Sequence, residues 1–193
     1  MKFILATANP GKIKEMRDIL SAFDIEIVTR ADLGIDVEVE ETGTTFYDNA
    51  LLKAKAVCAM SGLPAIADDS GLMVEALDGA PGVYSSSFGG DDLDAGERYL
   101  YLLDKMLGME QRRAKFVCTI VCAFPDGGSL SATGECHGEI LTAPRGSGGF
   151  GYDPVFLADG LNRTMAELSA DEKNEVSHRG EALRNFAASL SRR

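Results

Sequence analysis

Basic residues are scarce in this sequence, and no apolar run is long enough to cross a membrane. With 19 Lys and Arg against 30 Asp and Glu, the net charge is -11. Tight binding to a nucleic-acid backbone needs clustered cations, so the charge argues against it. The N-terminal apolar stretch ends at Ala6, which is too short for a signal peptide. We therefore expect a soluble, cytoplasmic protein that binds neither nucleic acid nor a membrane.

Cysteine and histidine are also few. The four Cys and two His show no CxxC pair or other zinc-binding spacing, so a zinc site is not expected. Cys118 and Cys122 lie four residues apart in an apolar, strand-like run and share one face. They are predicted to be small buried hydrophobic residues.

The chain of 193 residues contains no repeat or low-complexity tract and is predicted to form a single domain over residues 1–193. Strand and helix patterns alternate in its first half, and two long strand candidates flank the hairpin-like residues 125–128 in its second half. The strand candidates are residues 3–6, 24–29, 64–67, 72–77, 114–124 and 129–141; helices are predicted after Asn9, after Thr45, near 93–107 and after Ser169. This order predicts a mixed α/β sheet.

The loop between the first strand and the first helix has the position of an anion site. Free N–H groups and the helix dipole favour negative charge there, and Lys12 adds a positive charge. The same residues are typical of an ordinary helix start, so both interpretations stay open. The loop consists of Thr7, Ala8, Asn9, Pro10, Gly11 and Lys12.

Two pairs of adjacent acids stand at predicted element ends, Glu40-Glu41 and Asp68-Asp69. For any single acidic pair a solvated surface is the simpler explanation. Asp68 and Asp69 follow an apolar strand and are predicted to enter a turn, where burial would be costly without a cation. A hard, oxygen-binding ion such as Mg²⁺ is the natural partner.

Other polar and aromatic residues have two interpretations each. Lys53 lies one helical turn after Asn49, on the face predicted to point away from the core, and is either solvated or a ligand contact. Phe150 lies in a glycine-rich segment and either stacks on a base or packs in the core. His178 and Arg179, after Lys173, either donate to a ligand or stabilise a helix end.

Together these motifs resemble the inosine and xanthosine triphosphate pyrophosphatases, a family that hydrolyses non-canonical purine nucleotides. The match covers most of the chain. It rests on residues 7–12, Glu40-Glu41-Thr42-Gly43, Thr45-Phe46, residues 49–54, Ala67-Asp68-Asp69-Ser70-Gly71-Leu72, Pro81-Gly82-Val83-Tyr84-Ser85, Phe150-Gly151-Tyr152-Asp153-Pro154 and Ser177-His178-Arg179.

The resemblance implies an elongated, twisted mixed sheet with flanking helices, two lobes around a nucleotide cleft, and a homodimer. It implies Asp69 as general base and release of a monophosphate and pyrophosphate from ITP, dITP or XTP. The metal ligands for Mg²⁺ would be Glu40, Glu41 and Asp69. The substrate-binding residues would be the residues from Thr7 to Lys12 together with Lys53, Ser70, Phe150, Gly151, Tyr152, Asp153, Lys173, His178 and Arg179.

Within this resemblance Phe150 would stack on the base, while Lys173, His178 and Arg179 would read the purine edge. A donor such as Arg179 suits the 6-oxo group of hypoxanthine and rejects the 6-amino group of adenine. Two positions depart from the family pattern: Ser87 stands where an arginine is usual, and Asp48 where a glutamate is usual. The alternatives are a pyrophosphatase for pyrimidine or methylated nucleotides, and a nucleotide sensor without turnover.

Overall fold

The computed structural model describes residues 2–23 and 25–192. Within these residues the chain forms five α-helices and six strands, and the strands build one sheet in the order β2-β1-β3-β4-β5-β6. The strands are β1 (Lys2–Leu5), β2 (Glu26–Thr29), β3 (Ala65–Val74), β4 (Arg113–Ala123), β5 (Ser129–Ile140) and β6 (Phe156–Ala158). The helices are α1 (Pro10–Ser21), α2 (Phe46–Ser61), α3 (Ala95–Lys105), α4 (Ala170–Val176) and α5 (His178–Leu190).

The sheet is mixed, as the order of patterns in the sequence predicts. β1 pairs in parallel with β2 and β3, whereas β5 pairs antiparallel with β6. Parallel neighbours need a long crossover connection, and α1 and α2 lie in these connections. β4 and β5 are neighbours, and between them the Phe124 N–H donates to the Gly128 carbonyl over 2.9 Å. The mixed α/β class is therefore confirmed.

The polypeptide folds into two compact units, and β3, β4 and β5 contribute residues to both. The first unit contains the described residues within 1–69, 118–134 and 178–193. The second contains residues 70–117 and 135–177.

In the first unit both faces of the sheet are covered. Phe3 and Leu5 of β1 belong to one buried cluster, with Met16 and Phe186 from helices α1 and α5, whereas Ile4 packs in another cluster with residues of α2. Successive side chains of a strand point to opposite faces, so β1 feeds both clusters. Full burial of each such side chain contributes about 1.5–3 kcal/mol.

The second unit has its own apolar cluster. Leu72 and Val74 from the later part of β3 pack there with Leu102 of α3. The rings of Phe116 and Phe156 meet in this cluster with their centroids 4.6 Å apart.

The cysteines behave as buried apolar residues. All four are free thiols and buried, and Cys118 and Cys122 lie in the same cluster, as their spacing predicts. Burial raises the pKa of the Cys118 thiol to about 12. A thiol that stays protonated is not a nucleophile, so the interpretation as packing residues is supported.

Three of the four predicted helix starts carry side-chain caps at the residues after which the sequence predicts a helix. Asn9 caps α1, its side chain accepting from the Lys12 N–H over 3.1 Å, and Pro10 occupies the first helical position. Ser169 and Glu172 form a complete capping box at α4. At α2, Thr45 accepts from the Asp48 N–H, but the Thr45 hydroxyl donates to the Asp48 side chain instead of completing the box.

The structure corrects the predicted strands at three points. The candidates 64–67 and 72–77 belong to one strand, residues 75–77 form a 3₁₀ turn after it, and β6 has no counterpart among the predicted strands. β3 runs without interruption from Ala65 to Val74, so Asp68 and Asp69 lie inside a strand and not in a turn. The strand predicted over residues 24–29 is present as β2, and Asp24 lies outside the described residues. In the part of the chain that is described, no helix is long and apolar enough to span a bilayer.

Candidate active site

Two adjacent carboxylates on β3 form the centre of the polar site in the first unit. The side chain of Asp68 is fully buried, and that of Asp69 is 9% exposed. Because successive strand residues point to opposite faces, the two acids meet different partners. The strand tolerates both charges because each carboxylate is matched by cations or donors.

Asp68 belongs to a buried ion-pair network. Its Oδ2 atom lies 2.9 Å from Lys12 Nζ and 3.3 Å from Arg179 Nη2, and Arg179 also donates to Glu15. Burial would raise the pKa of Asp68, but the charges of Lys12, Arg179 and Lys53 outweigh it and hold that pKa far below its usual range. Asp68 therefore stays ionised and anchored.

Asp69 has a different environment. Asn49 Nδ2 donates to its Oδ2 over 3.2 Å, and Lys53 Nζ lies 3.6 Å from its Oδ1. Burial raises the pKa of Asp69, Glu41 adds to this, and the opposing charge of Lys53 does not cancel it. Asp69 therefore binds a proton more readily than an ordinary aspartate does.

The two neighbouring acids are pushed apart in pKa by their surroundings. When two carboxylates differ in pKa, one can transfer a proton while the other stays ionised and balances charge. A raised pKa in a partly accessible acid is the property required of a general base near neutral pH. The geometry favours Asp69 for that task and Asp68 for holding Lys12 and Arg179.

Lys53 connects Asp69 to Glu41. Its Nζ lies 3.1 Å from Glu41 Oε2, and its side chain is 15% exposed. Burial lowers the pKa of Lys53, but Asp69, Asp68 and Glu41 together raise it above its ordinary value. Lys53 is therefore a largely buried cation and not the solvated lysine that its helix position suggested; Asn49, at 2% exposure, is likewise buried.

The segment that carries Glu41 is held against α2 at Gly43. The Gly43 N–H donates to Asn49 Oδ1 over 2.8 Å. A Cβ atom at position 43 would lie 2.6 Å from that same oxygen, so only glycine permits this approach. Asn49 consequently links the Glu41 segment to Asp69.

The donor set fits a hard divalent cation in part. Glu41 and Asp69 both approach the same ammonium group, so positive charge is accommodated between them. Within residues 2–23 and 25–192 no three Asp, Glu, His or Cys side chains are grouped to hold a metal. Glu40, which is exposed, is therefore not gathered with Glu41 and Asp69 into the expected set of three. Mg²⁺ commonly uses only one or two carboxylates together with substrate phosphates, which two acids satisfy.

In the second unit an aromatic ring is fixed by an ion pair. Asp153 Oδ2 accepts from the Phe150 N–H over 2.8 Å and from Lys173 Nζ over 2.7 Å. Lys173 Nζ lies 4.5 Å from the centroid of the Phe150 ring. Gly149 has a φ of 70°, and a Cβ there would come within 2.1 Å of Asp153 Oδ2. The glycine-rich segment is thus a built turn that holds a half-buried ring.

The remaining predicted site residues fall into both units. In the first, Thr7 is half-buried and Ala8 and Pro10 are exposed at the start of α1, and His178 is buried at the start of α5. In the second, Ser70 and Gly151 are half-buried and Tyr152 is 5% exposed. The helical stretch is broken only at Ser177, between α4 and α5, and His178 and Arg179 belong to α5 rather than to the break.

Sequence reasoning missed Glu15, which pairs with Arg179. A signal existed, because Glu15 lies three residues after Lys12 on α1 and therefore on the same face. It also missed Ser85 as a contact of β3, for which no local pattern exists.

The fold and the site define a mixed α/β protein in which two buried aspartates on a central strand are each paired with a lysine. Residues 3–189 match the model of the Ham1 family, and the chain belongs to that family. A dITP/XTP pyrophosphatase of Deinococcus deserti is 50% identical over 180 residues, covering 93% of this chain and 85% of that protein.

Two solved structures agree with the fold. A HAM1 protein from Coxiella burnetii superposes with a TM-score of 0.91 at 38% identity and covers all of both chains. The Staphylococcus aureus Ham1 protein gives a TM-score of 0.89 at 39% identity, covering 99% of this chain and 98% of that one.

Proposed function

We propose that this protein hydrolyses non-canonical purine nucleoside triphosphates, namely ITP, dITP and XTP, to the monophosphate and pyrophosphate. The curated relatives that match nearly its whole length carry the name dITP/XTP pyrophosphatase. The observation that carries the chemistry is the environment of Asp69, a largely buried carboxylate of raised pKa beside Lys53 and Asn49.

In the proposed reaction Asp69 accepts a proton from a water molecule. The oxygen of that water forms a bond to the α-phosphorus, and the bond between this phosphorus and the oxygen bridging to the β-phosphorus breaks. Pyrophosphate leaves with the bridging oxygen. Removing the proton at the moment of attack is general-base catalysis.

Lys12 and Lys53 hold the triphosphate in this proposal. Both side chains retain some exposure, 17% for Lys12 and 15% for Lys53, and both are paired with carboxylates that balance them before the nucleotide arrives. Glu41 and Asp69 would hold Mg²⁺, which supplies neutralisation of charge on the phosphate oxygens.

Phe150 offers a stacking surface for the base. Lys173 Nζ lies 4.5 Å from the centroid of this ring, and stacking of a base on Phe150 stays a prediction. Reading of the purine edge by Lys173, His178 and Arg179 stays a prediction. The Arg179 side chain is 2% exposed and is paired with Asp68 and Glu15.

A homodimer, a cytoplasmic location and the use of Mg²⁺ also stay predictions. The first is implied by the resemblance and the second by the N-terminal sequence. The expectation that no nucleic acid binds is based on the negative charge, and the expectation that no membrane binds is based on the lack of a long apolar run.

A nucleotide panel tests the function. We expect release of pyrophosphate from ITP, dITP and XTP, with kcat/KM for ATP at least about 10-fold lower, since a mismatched hydrogen-bond partner costs roughly 1–3 kcal/mol. Chromatography should show monophosphate and pyrophosphate. Formation of a diphosphate and orthophosphate would contradict attack at the α-phosphorus. Preference for a pyrimidine or methylated nucleotide would favour a pyrophosphatase for those nucleotides. Tight binding without products would favour a nucleotide sensor without turnover.

Removal of divalent cations is expected to abolish turnover of dITP. The physical reason is that the triphosphate would meet Glu41 and Asp69 without a neutralising ion. The assay is pyrophosphate release in excess EDTA, with Mg²⁺ restored in the control. Undiminished turnover in EDTA would show that Lys12 and Lys53 suffice without a metal.

A further inference from the structure

Ser85 lies where three separate segments of the second unit meet. The sequence motif Pro81-Gly82-Val83-Tyr84-Ser85 belongs to the family resemblance, yet the proposed chemistry assigns it no task. Ser85 is 7% exposed, so its polar groups need partners inside the protein.

The Ser85 hydroxyl completes the hydrogen bonding of β3. Its Oγ accepts from the Leu72 N–H over 2.9 Å and donates to the Gly82 carbonyl over 2.6 Å. Two residues after Leu72 on β3, the Val74 N–H donates to the Ala80 carbonyl over 3.0 Å. Leu72 and Val74 present their N–H groups to the same edge of the strand, so residues 80–85 serve β3 there as a partner strand would.

The Ser85 carbonyl joins the same point to the aromatic segment. It accepts from the Tyr152 hydroxyl over 2.8 Å. Tyr152 is buried and stands two residues after Phe150 and directly before Asp153, whose carboxylate holds the Phe150 N–H. Burial raises the pKa of Tyr152, which keeps its hydroxyl a donor.

We propose that Ser85 is a positioning residue that ties the β3 residues following Asp69 to the turn that carries Phe150. The inference rests on the hydrolase function proposed above. The Ser85 side chain holds β3, and the Ser85 carbonyl holds the turn that carries Phe150. The first contact therefore bears on the chemical step and the second on substrate binding. Loss of the hydroxyl affects the strand that carries Asp69 and hence kcat, whereas loss of the Tyr152 contact affects the turn and hence KM.

Steady-state kinetics with dITP test this division. Ser85→Ala removes the two hydrogen bonds of the hydroxyl and is expected to lower kcat about fivefold with little change in KM. Tyr152→Phe removes one hydrogen bond and is expected to raise KM about fivefold with kcat near the parent value. Ser85→Thr keeps the hydroxyl and should restore kcat. Ser86→Ala, the same chemical change at an exposed neighbouring position, is the control and should leave both constants unchanged.

Amide hydrogen exchange provides a readout that does not depend on activity. In Ser85→Ala the Leu72 amide should exchange about tenfold faster, and in Tyr152→Phe the Phe150 amide should do so. If the parent protein does not hydrolyse dITP, the proposed function is wrong. Amide hydrogen exchange still tests whether Ser85 connects β3 to the turn that carries Phe150.

Two results would overturn the positioning role. One is a folded Ser85→Ala protein with parental kcat, even if its thermal unfolding midpoint is lower, since that describes a structural residue only. The other, decisive if Ser85→Ala does not fold, is Tyr152→Phe with parental KM and unchanged exchange at Phe150.

Discussion

Asp69→Asn is expected to lower kcat for dITP by about 10²- to 10⁴-fold, the usual loss when a general base is removed. The amide has the size of the carboxylate, so packing on β3 survives. It cannot take a proton from water, and it removes the charge that faces Lys53 at 3.6 Å. The measurement is pyrophosphate release at saturating Mg²⁺, so that weaker metal binding does not account for the loss.

The control for Asp69→Asn is the same change at an exposed aspartate of the first unit, Asp36→Asn, which should leave kcat unchanged. Circular dichroism should show that both variants are folded. A folded Asp69→Asn protein that binds dITP and hydrolyses it within a few-fold of the parent rate would exclude Asp69 as the base. Asp68 or Glu41 would then take that role.

The fold class and most of the elements follow from local patterns in the sequence, whereas the short strand β6 was not predicted. Apolar periodicity, the Asn9-Pro10 helix start and the Ser169 capping box depend only on neighbouring residues, and each is present in the structure. The hairpin between β4 and β5 is predictable for the same reason, because the turn residues 125–128 carry their own conformational preference.

The path of the chain at Asp68 and Asp69 was not predictable in this way. Two adjacent acids before Ser70-Gly71 are typical of an exposed turn, yet β3 continues through them. What reverses the local preference is neutralisation from distant segments: Lys12 comes from α1 and Arg179 from α5. Burial of a charge is decided by partners that only the folded chain brings together.

In the candidate site, too, local sequence patterns predict the residue types but not their tertiary contacts. The candidate site residues, which are acids, lysines and an aromatic ring, could be named from their motifs. Their pairing could not: Asn49 links Gly43 to Asp69, and Asp153 links Phe150 to Lys173. These contacts depend on tertiary distances, on which the sequence pattern is silent.

Arg179→Met is expected to lower the free energy of unfolding by about 3–5 kcal/mol, because it leaves Asp68 and Glu15 without this cation in a buried place. Arg179 is 2% exposed and the Asp68 side chain is fully buried. Urea denaturation measures the change. The control is Arg17→Met, the same replacement at an exposed helix position that pairs with Asp32, where the cost should stay below about 1 kcal/mol.

A second variant separates the anchoring of Asp68 from the expected reading of the purine. In Arg179→Met with Asp68→Asn, the buried carboxylate that has lost one of its two cations is gone, so part of the lost stability should return. Arg179→Lys keeps a positive charge near Asp68 but lacks the planar fork. If Arg179→Lys is nearly as stable as the parent and its kcat/KM ratio of ITP to ATP falls, Arg179 contacts the base. If stability falls and the ratio is unchanged, Arg179 acts only as the buried partner of Asp68 and Glu15, and Lys173 becomes the candidate for reading the purine edge.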